Sequence, residues 1–412
     1  MIQINKRCRI CNGEELIPVL NLGSQELTGV FPKSRTEPIT SGPLELVKCS
    51  SALGCGLVQL HHTYDLSELY GINYGYRSGL NASMVRHLHA KVGRILDANV
   101  LNPGDMVIDI GSNDGTTLSA YPKGRFKLVG FDPIGEKFSR FYPDHVRLIP
   151  EFFSVDCLHK ELKGLRAKVI TSFSMFYDLE DPTAFMREIE ACLDDEGIWV
   201  FEQSYLPAML HTNSFDTVCH EHLEFYTLKQ ISWMAERVGL KLLDVEFNDV
   251  NGGSFSVTAA KLSSNRSGNS ALIQKVLNDE IEMGLDGLAV WESFRDRVDK
   301  SKQALLQFLE DAHRRQQRVC GLGASTKGNV LLQYFGIDER LLQSIGEVNE
   351  DKFGSFTPGS LIPLVPEDEM LASEPDFILV LPWHFKAFFL ELPKMHGKTL
   401  VFPLPQLEIV KV

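Results

Sequence analysis

Val107-Ile-Asp-Ile-Gly-Ser-Asn-Asp-Gly-Thr-Thr-Leu118 reads as a hydrophobic strand that ends in a small-residue turn and runs into a helix. The next apolar run, Leu128-Val-Gly-Phe131, finishes on Asp132. A strand, a glycine turn that lets the backbone approach a ligand, and an acid closing the second strand form a nucleoside-binding pattern. The glycine spacing selects the nucleoside. Gly111 and Gly115 stand four apart, so both the G-x-G-x-x-G of dinucleotide folds and the phosphate loop G-x-x-x-x-G-K-[ST] are absent. S-adenosylmethionine, which has no phosphate to seat on the helix N-terminus, is the expected cofactor. Asp132 is expected to accept the ribose hydroxyls, while Asp109 and the turn at Gly111, Asn113 and Gly115 face the methionine end. The bland alternative is an ordinary βα turn followed by a chance acid; it leaves the agreement of turn, acid and order unexplained.

Outward from this turn, strands are expected at 107–110, 128–131, 167–171, 197–201 and 254–260, alternating with helical patterns. The last strand follows Gly252-Gly253 and is expected to be antiparallel. Upstream, Tyr74-Gly-Tyr-Arg-Ser-Gly-Leu-Asn81 leads into a helix marked by Met84, Val85, Leu88, Val92, Ile95 and Leu96. Residues 263–270 read as a Ser/Asn-rich linker, and 271–317 as a charged, helix-favouring stretch. A second α/β unit follows, with strands at 318–321, 344–348 and finally 377–381, and a helix at 328–335. The expected domains are 1–66, 67–265 and 266–412. The fold class is α/β, with a parallel central sheet and a second α/β unit behind it.

The 41 Lys and Arg against 54 Asp and Glu give a formal charge of −13, spread along the chain. No basic stripe is available for nucleic acid. No stretch has the length and apolarity of a membrane span, and no basic-then-apolar start marks a signal peptide, so a cytoplasmic protein is expected. Cys8-Arg-Ile-Cys11 is a close pair, and Cys49 and Cys55 form a looser one. In a reducing compartment, two such pairs are expected to hold a structural zinc ion rather than two disulfides. Four thiolates would leave no coordination position for water. Free thiols are the alternative.

Three further segments carry candidate chemistry. In Phe215-Asp-Thr-Val-Cys-His-Glu-His-Leu-Glu-Phe-Tyr-Thr-Leu228, a histidine beside a glutamate that can orient it suggests a general base. A histidine pair capping the next helix is the competing reading. Thr171-Ser-Phe-Ser-Met-Phe-Tyr-Asp-Leu-Glu-Asp-Pro182 follows a sheet strand, where Ser172 and Phe173 would border the cofactor and Tyr177 and Asp178 the substrate. Asp178 and Asp181 could equally cap the helix ahead of Pro182. In Gly321-Leu-Gly-Ala-Ser-Thr-Lys-Gly-Asn329, turn amides, a helix N-terminus and Lys327 suggest a diphosphate site; a solvated lysine on a tight turn is the alternative. Trp383 and His384 would face the same edge, to stack on a base or sugar or simply to pack.

Together these residues resemble the nucleotide-sugar C-methyltransferases that make branched deoxysugars, over essentially the whole chain. The resemblance rests on the cysteine quartet, Tyr-Arg-Ser-Gly-Leu-Asn at 76–81, Asp-Ile-Gly-Ser-Asn-Asp-Gly at 109–115, His-Glu-His at 220–222, Ala-Ser-Thr-Lys-Gly-Asn at 324–329 and Thr-Pro-Gly at 357–359. It implies a small N-terminal zinc-binding domain, a central Rossmann-like class I methyltransferase domain and a C-terminal second Rossmann-like domain. It further implies C3 methylation of a nucleoside-diphosphate 4-keto-6-deoxyhexose, with His222 as general base and Glu221 as its neighbouring acid. Tyr76 would then join the cofactor site, and Asn81, Lys327, Asn329, Trp383 and His384 the substrate site. Two positions depart from the family pattern: Cys219 stands where Tyr is common, and Asp178 where His is common. O- or N-methylation of a related sugar, and a non-catalytic partner protein, remain as alternative readings. The nucleotide sugar is the one partner implied, and a monomer is expected.

Overall fold

The computed structural model describes residues 2–51, 54–69 and 76–412. Tyr74 and Gly75 of the segment leading into the first long helix lie outside the described residues.

The strand at Met106–Ile110 is buried along its whole length, as an apolar run covered on both faces requires. It is the pivot of a seven-stranded sheet. The order across that sheet is Leu240–Asn248, Ser254–Lys261, Leu193–Ser204, Ala167–Phe173, Met106–Ile110, Lys127–Phe131, Val146–Ile149. Pairing is parallel from Leu193–Ser204 to Val146–Ile149. Ser254–Lys261 runs antiparallel between two neighbours, as expected. This is the class I methyltransferase sheet. Its order reverses between Met106–Ile110 and Ala167–Phe173, which opens a ligand crevice beyond their carboxyl ends.

The helix Ala82–Asp97 covers one face of the sheet with Val92 and Ile95. The other face packs a cluster of Phe176, Phe185, Trp199 and Phe201, closed by the helix Ser270–Glu282 through Val276. The stretch expected as one helical region is therefore two helices. Ser270–Glu282 packs with the central sheet, although it follows the boundary expected at 266. Ala289–Arg314 packs with the C-terminal unit through Phe294, Val298, Leu305 and Leu309.

That unit is a six-stranded sheet ordered Leu364–Pro366, Ile345–Glu347, Val319–Leu322, Phe377–Val380, Thr399–Phe402, Glu408–Lys411. The strand expected to be last has two successors, and the edge one is antiparallel. Glu408–Lys411 is mostly exposed, so it lacks the apolar run that marks a buried strand.

The N-terminal sheet holds Leu16–Glu26, Ser41–Cys49 and Val58–Leu60, and takes its fourth strand, Glu224–Phe225, from the central region. Leu44 and Leu46 share one core with Val330, Leu331 and Leu381 of the C-terminal unit. Among the described residues, no helix is long and apolar enough to cross a membrane.

Candidate active site

A cavity of about 480 Å³ opens at the reversal of the sheet order. Asp109, Gly111, Asn113 and Asp132 line it from one side, and Phe173, Met175, Asp178 and Phe185 from the other. The size is that of a small-molecule site. Gly111 has φ 70°, and a Cβ there would meet the Met175 side chain at 3.1 Å, so the turn needs glycine for both conformation and space. Asp132 is buried and accepts from the Asn113 amide at 2.8 Å and the Ile134 amide at 2.9 Å. Burial nevertheless pushes its carboxyl up. Asp109 accepts from the Thr171 hydroxyl at 2.6 Å, and burial raises it to about 7.

Asn113 and Asp114 turn their side chains to the chain lying over the cavity. Asn113 Oδ1 accepts from the Ser78 amide at 3.0 Å and Nδ2 donates to the Tyr76 carbonyl at 3.2 Å, while Asp114 accepts from the Gly79 amide at 2.9 Å. These bonds hold Tyr76 at the mouth, where its exposed ring and that of Phe152 flank the opening. The cavity fits S-adenosylmethionine. A carboxyl stands at the carboxyl end of each of two adjacent strands, and Phe131, Ile134 and Phe153 give the cavity an apolar wall.

Behind the cavity wall lies a second cluster, assembled from segments far apart in sequence. Leu223 donates its amide to the Tyr177 carbonyl at 2.8 Å, and the Leu223 carbonyl accepts from the Leu60 amide at 2.8 Å. The segment 219–225 is thus stitched between the central unit and the N-terminal sheet. His222 packs edge-on against Tyr177, ring centroids 4.3 Å apart. Its Nδ1 lies 2.7 Å from the Thr217 carbonyl. That contact requires the proton on Nδ1 and leaves Nε2 as the free acceptor. Burial, with the nearby Lys327 charge, pushes His222 down to about 4, so it is neutral at pH 7.

Lys327 Nζ donates to the Asn251 carbonyl across the two α/β units. Asp216 is fully buried and accepts from Trp383 Nε1 at 2.8 Å. Burial pulls the Lys327 ammonium down and the Asp216 carboxyl up, and each charge holds the other against that pull. His384, beside them, is also held well below the ordinary histidine value by burial and by Lys327.

Several expected residues play other parts. Glu221 does not orient His222; the Thr217 carbonyl does. Adjacent side chains diverge here, and the Glu221 carboxyl faces Gly29 and accepts from the Cys219 thiol. Ser172 points into the core and accepts from Trp199 Nε1 at 3.0 Å, leaving Phe173 to line the cavity. Asn81 is an exposed N-cap that accepts from the Ser83 amide at 2.9 Å. Gly115 starts the short helix Thr116–Ser119 with φ 77° and lies against Tyr142, outside the cavity lining. Asn329 is fully buried and donates to the Thr28 carbonyl at 2.7 Å, tying the C-terminal unit to the N-terminal domain.

The diphosphate turn is also filled. The Ala324 amide donates to Glu347 at 3.1 Å and the Gly328 amide to the Ser325 hydroxyl at 3.1 Å, so a carboxylate already occupies the expected anion site. Between Asp178 and Asp181, the geometry separates the roles. Asp181 caps the helix Pro182–Cys192 by accepting from the Ala184 amide at 2.8 Å, and Asp178 lines the cavity. His220 is fully buried edge-on to Tyr64 at 4.6 Å and serves the core. Asp216 and Thr217 were within reach of the sequence, inside the histidine-bearing segment. Thr217 acts through its carbonyl, which no side-chain pattern announces.

The four cysteines meet as expected. Their sulfurs lie within 4.8 Å of one another, with Cys8 to Cys55 at 3.4 Å and Cys11 to Cys49 at 3.5 Å. Tetrahedral zinc–thiolate bonds of about 2.3 Å space the sulfurs at roughly 3.8 Å. A Cβ at Gly54 would come to 2.9 Å from the Cys49 sulfur, so glycine is needed beside the cluster. The Leu57 amide donates to the Cys55 sulfur at 3.4 Å, as a thiolate ligand would accept. The residues fit structural zinc.

Three family profiles match the chain in order: a zinc-binding domain at residues 8–70, a methyltransferase domain at 84–245 and a C-methyltransferase C-terminal domain at 249–405. The C-methyltransferase NovU of Streptomyces niveus is 26% identical over 411 residues, covering 98% of this chain and 96% of NovU. Among solved structures, an O-methyltransferase family protein from Burkholderia thailandensis aligns at 17% identity and TM-score 0.34, over 45% of this chain and 59% of that one. The CcbJ methyltransferase from Streptomyces caelestis aligns at 13% identity and TM-score 0.32, over 42% of this chain and 88% of its own.

Proposed function

We propose, from the premise that this chain belongs to the C-methyltransferase family, that it methylates C3 of a nucleoside-diphosphate 4-keto-6-deoxyhexose through an enolate. His222 carries the reading: a neutral imidazole with Nδ1 committed to the Thr217 carbonyl and Nε2 left to accept a proton. In this reading His222 Nε2 takes the C3 proton beside the ketone, and the electron pair moves onto O4. Lys327 supplies the charge that faces the developing enolate oxygen, in the position chemistry would otherwise give to a phenol at 219. Asp216 keeps that lysine charged through burial, and Tyr177 holds the imidazole plane. When bound, S-adenosylmethionine supplies an activated methyl group to the carbanion. Trp383 and His384 extend the wall of the substrate side, and the shared core between N- and C-terminal units keeps water out. A cytoplasmic monomer fits this reading.

The test is mass spectrometry after incubation with trideuteromethyl S-adenosylmethionine and a panel of nucleotide-linked 4-keto-6-deoxyhexoses, with fragmentation to locate the label. Label on C3 is expected. Label on oxygen or nitrogen would replace the enolate by direct attack from a heteroatom. No label, with no solvent exchange of the C3 hydrogen on any sugar, would overturn the assignment.

A further inference from the structure

The N-terminal sheet brings together a second group of metal-binding side chains, apart from the cysteines. Glu45 lies on Ser41–Cys49, and His61 and His62 lie at the start of the short strand His62–Thr63. One ligand atom from each of the three lies within 4.8 Å of the other two. His61 Nδ1 is 2.6 Å from Glu45 Oε2. The backbone fixes this arrangement. The His61 amide donates to the Glu45 carbonyl at 2.8 Å, and the Asn5 amide donates to the His61 carbonyl at 2.8 Å. Strand Gln3–Ile4 then pairs with His62–Thr63 on the far side.

A carboxylate–imidazole hydrogen bond accounts for Glu45 and His61 but leaves His62 unexplained. His62 is 9% exposed, and its Nδ1 has no hydrogen-bond partner among the described residues. A buried imidazole nitrogen without a partner is costly, and a bound ion removes the cost. Arg9 is nearby, but it reaches the His62 carbonyl rather than the ring, and Glu224 at 3.5 Å takes its charge.

We propose that Glu45, His61 and His62 bind a divalent transition-metal ion of the zinc class. Two imidazoles and a carboxylate form a three-ligand set that keeps one tetrahedral position for water or a ligand. The group is distinct from the thiolate cluster: Glu45 and Cys49 are four residues apart on one strand, about 13 Å. The site is partly open, with Glu45 and His61 side chains 20% and 26% exposed, so an ion can enter and leave.

Metal content separates the two sites. The full-length protein, equilibrated with excess Zn²⁺ and desalted, should hold two equivalents by elemental mass spectrometry. His62→Ala and, more gently, Glu45→Gln should each hold one. Replacing zinc by Co²⁺ gives a fold control: thiolate-to-cobalt charge-transfer absorption reports the cysteine site and should be unchanged in both variants. One equivalent in the wild type would overturn the proposal. Two equivalents in both variants would overturn it as well, by locating the second ion elsewhere.

Discussion

The cofactor cavity and the His222–Lys327 cluster are neighbours built on opposite plans. Half of the cavity's polar lining comes from one continuous stretch, Asp109 to Asp132, and its bonds are local: Asp132 to Asn113 and Ile134, Asp109 to Thr171 of the adjacent strand. The cluster gathers Tyr177, Asp216, His222 and Asn251 from the central unit and Lys327 and Trp383 from the C-terminal one, through contacts such as Lys327 to Asn251 and Trp383 to Asp216. A local site tolerates domain movement. A distributed one exists only when the units are docked, so chemistry is coupled to docking while cofactor binding is not.

His222→Ala should break that comparison furthest. Loss of a positioned general base costs on the order of 10²- to 10⁴-fold in kcat. Cofactor affinity, measured by calorimetry, should stay unchanged because His222 is outside the cavity lining. A fall in both would mean that the two regions act as one. Asp132→Ala should give the opposite split. A charged hydrogen bond is worth about 1.5–3 kcal/mol, or on the order of 10- to 100-fold in cofactor Kd. The turnover number at saturating cofactor should move far less.

The same contrast governs what the sequence discloses. The turn at 107–118, Asp132 and the cysteine quartet are legible because local spacing carries their meaning. Glu221 and Lys327 are legible as residues but not as contacts. Whether Glu221 orients its neighbour depends on the path of the chain, and that path is set by pairing of Glu224–Phe225 with Val58–Leu60. Likewise, nothing near 324–329 announces that Glu347 fills the turn and frees Lys327 to reach Asn251. Asn329 shares the motif but is bonded to Thr28, a partner about three hundred residues away. Those facts belong to tertiary structure.

The pH dependence sharpens the cluster side. The folded pKa of His222 lies near 4, below the ordinary 6.5, so the folded state binds fewer protons than the unfolded one. His220 adds to this, also pushed down to about 4 by burial. Stability contributed by these neutral rings is therefore present above pH 6.5 and is lost as pH falls from about 6.5 toward 4. The free-enzyme rate should follow the same groups. The acid limb of kcat/KM is expected near pH 4, with a flat profile through neutrality. A limb near 6.5 would place the essential base in a more solvated environment than His222 has.

Cys219→Ala should have the smallest effect. The thiol is fully buried, and burial together with Glu221 holds its pKa well above the ordinary value, so it is a neutral S–H donor throughout the working range. Such a donor is weak, and its side-chain partner is the Glu221 carboxyl rather than the His222 ring. Its removal should cost about 1 kcal/mol, less than tenfold in rate. Lys327→Met should cost more, because it removes the charge itself and leaves Asp216 buried without its counter-ion. If Cys219→Ala instead matched Lys327→Met in kcat, the thiol would be the group that faces the enolate oxygen, and the lysine would serve only to dock the two units.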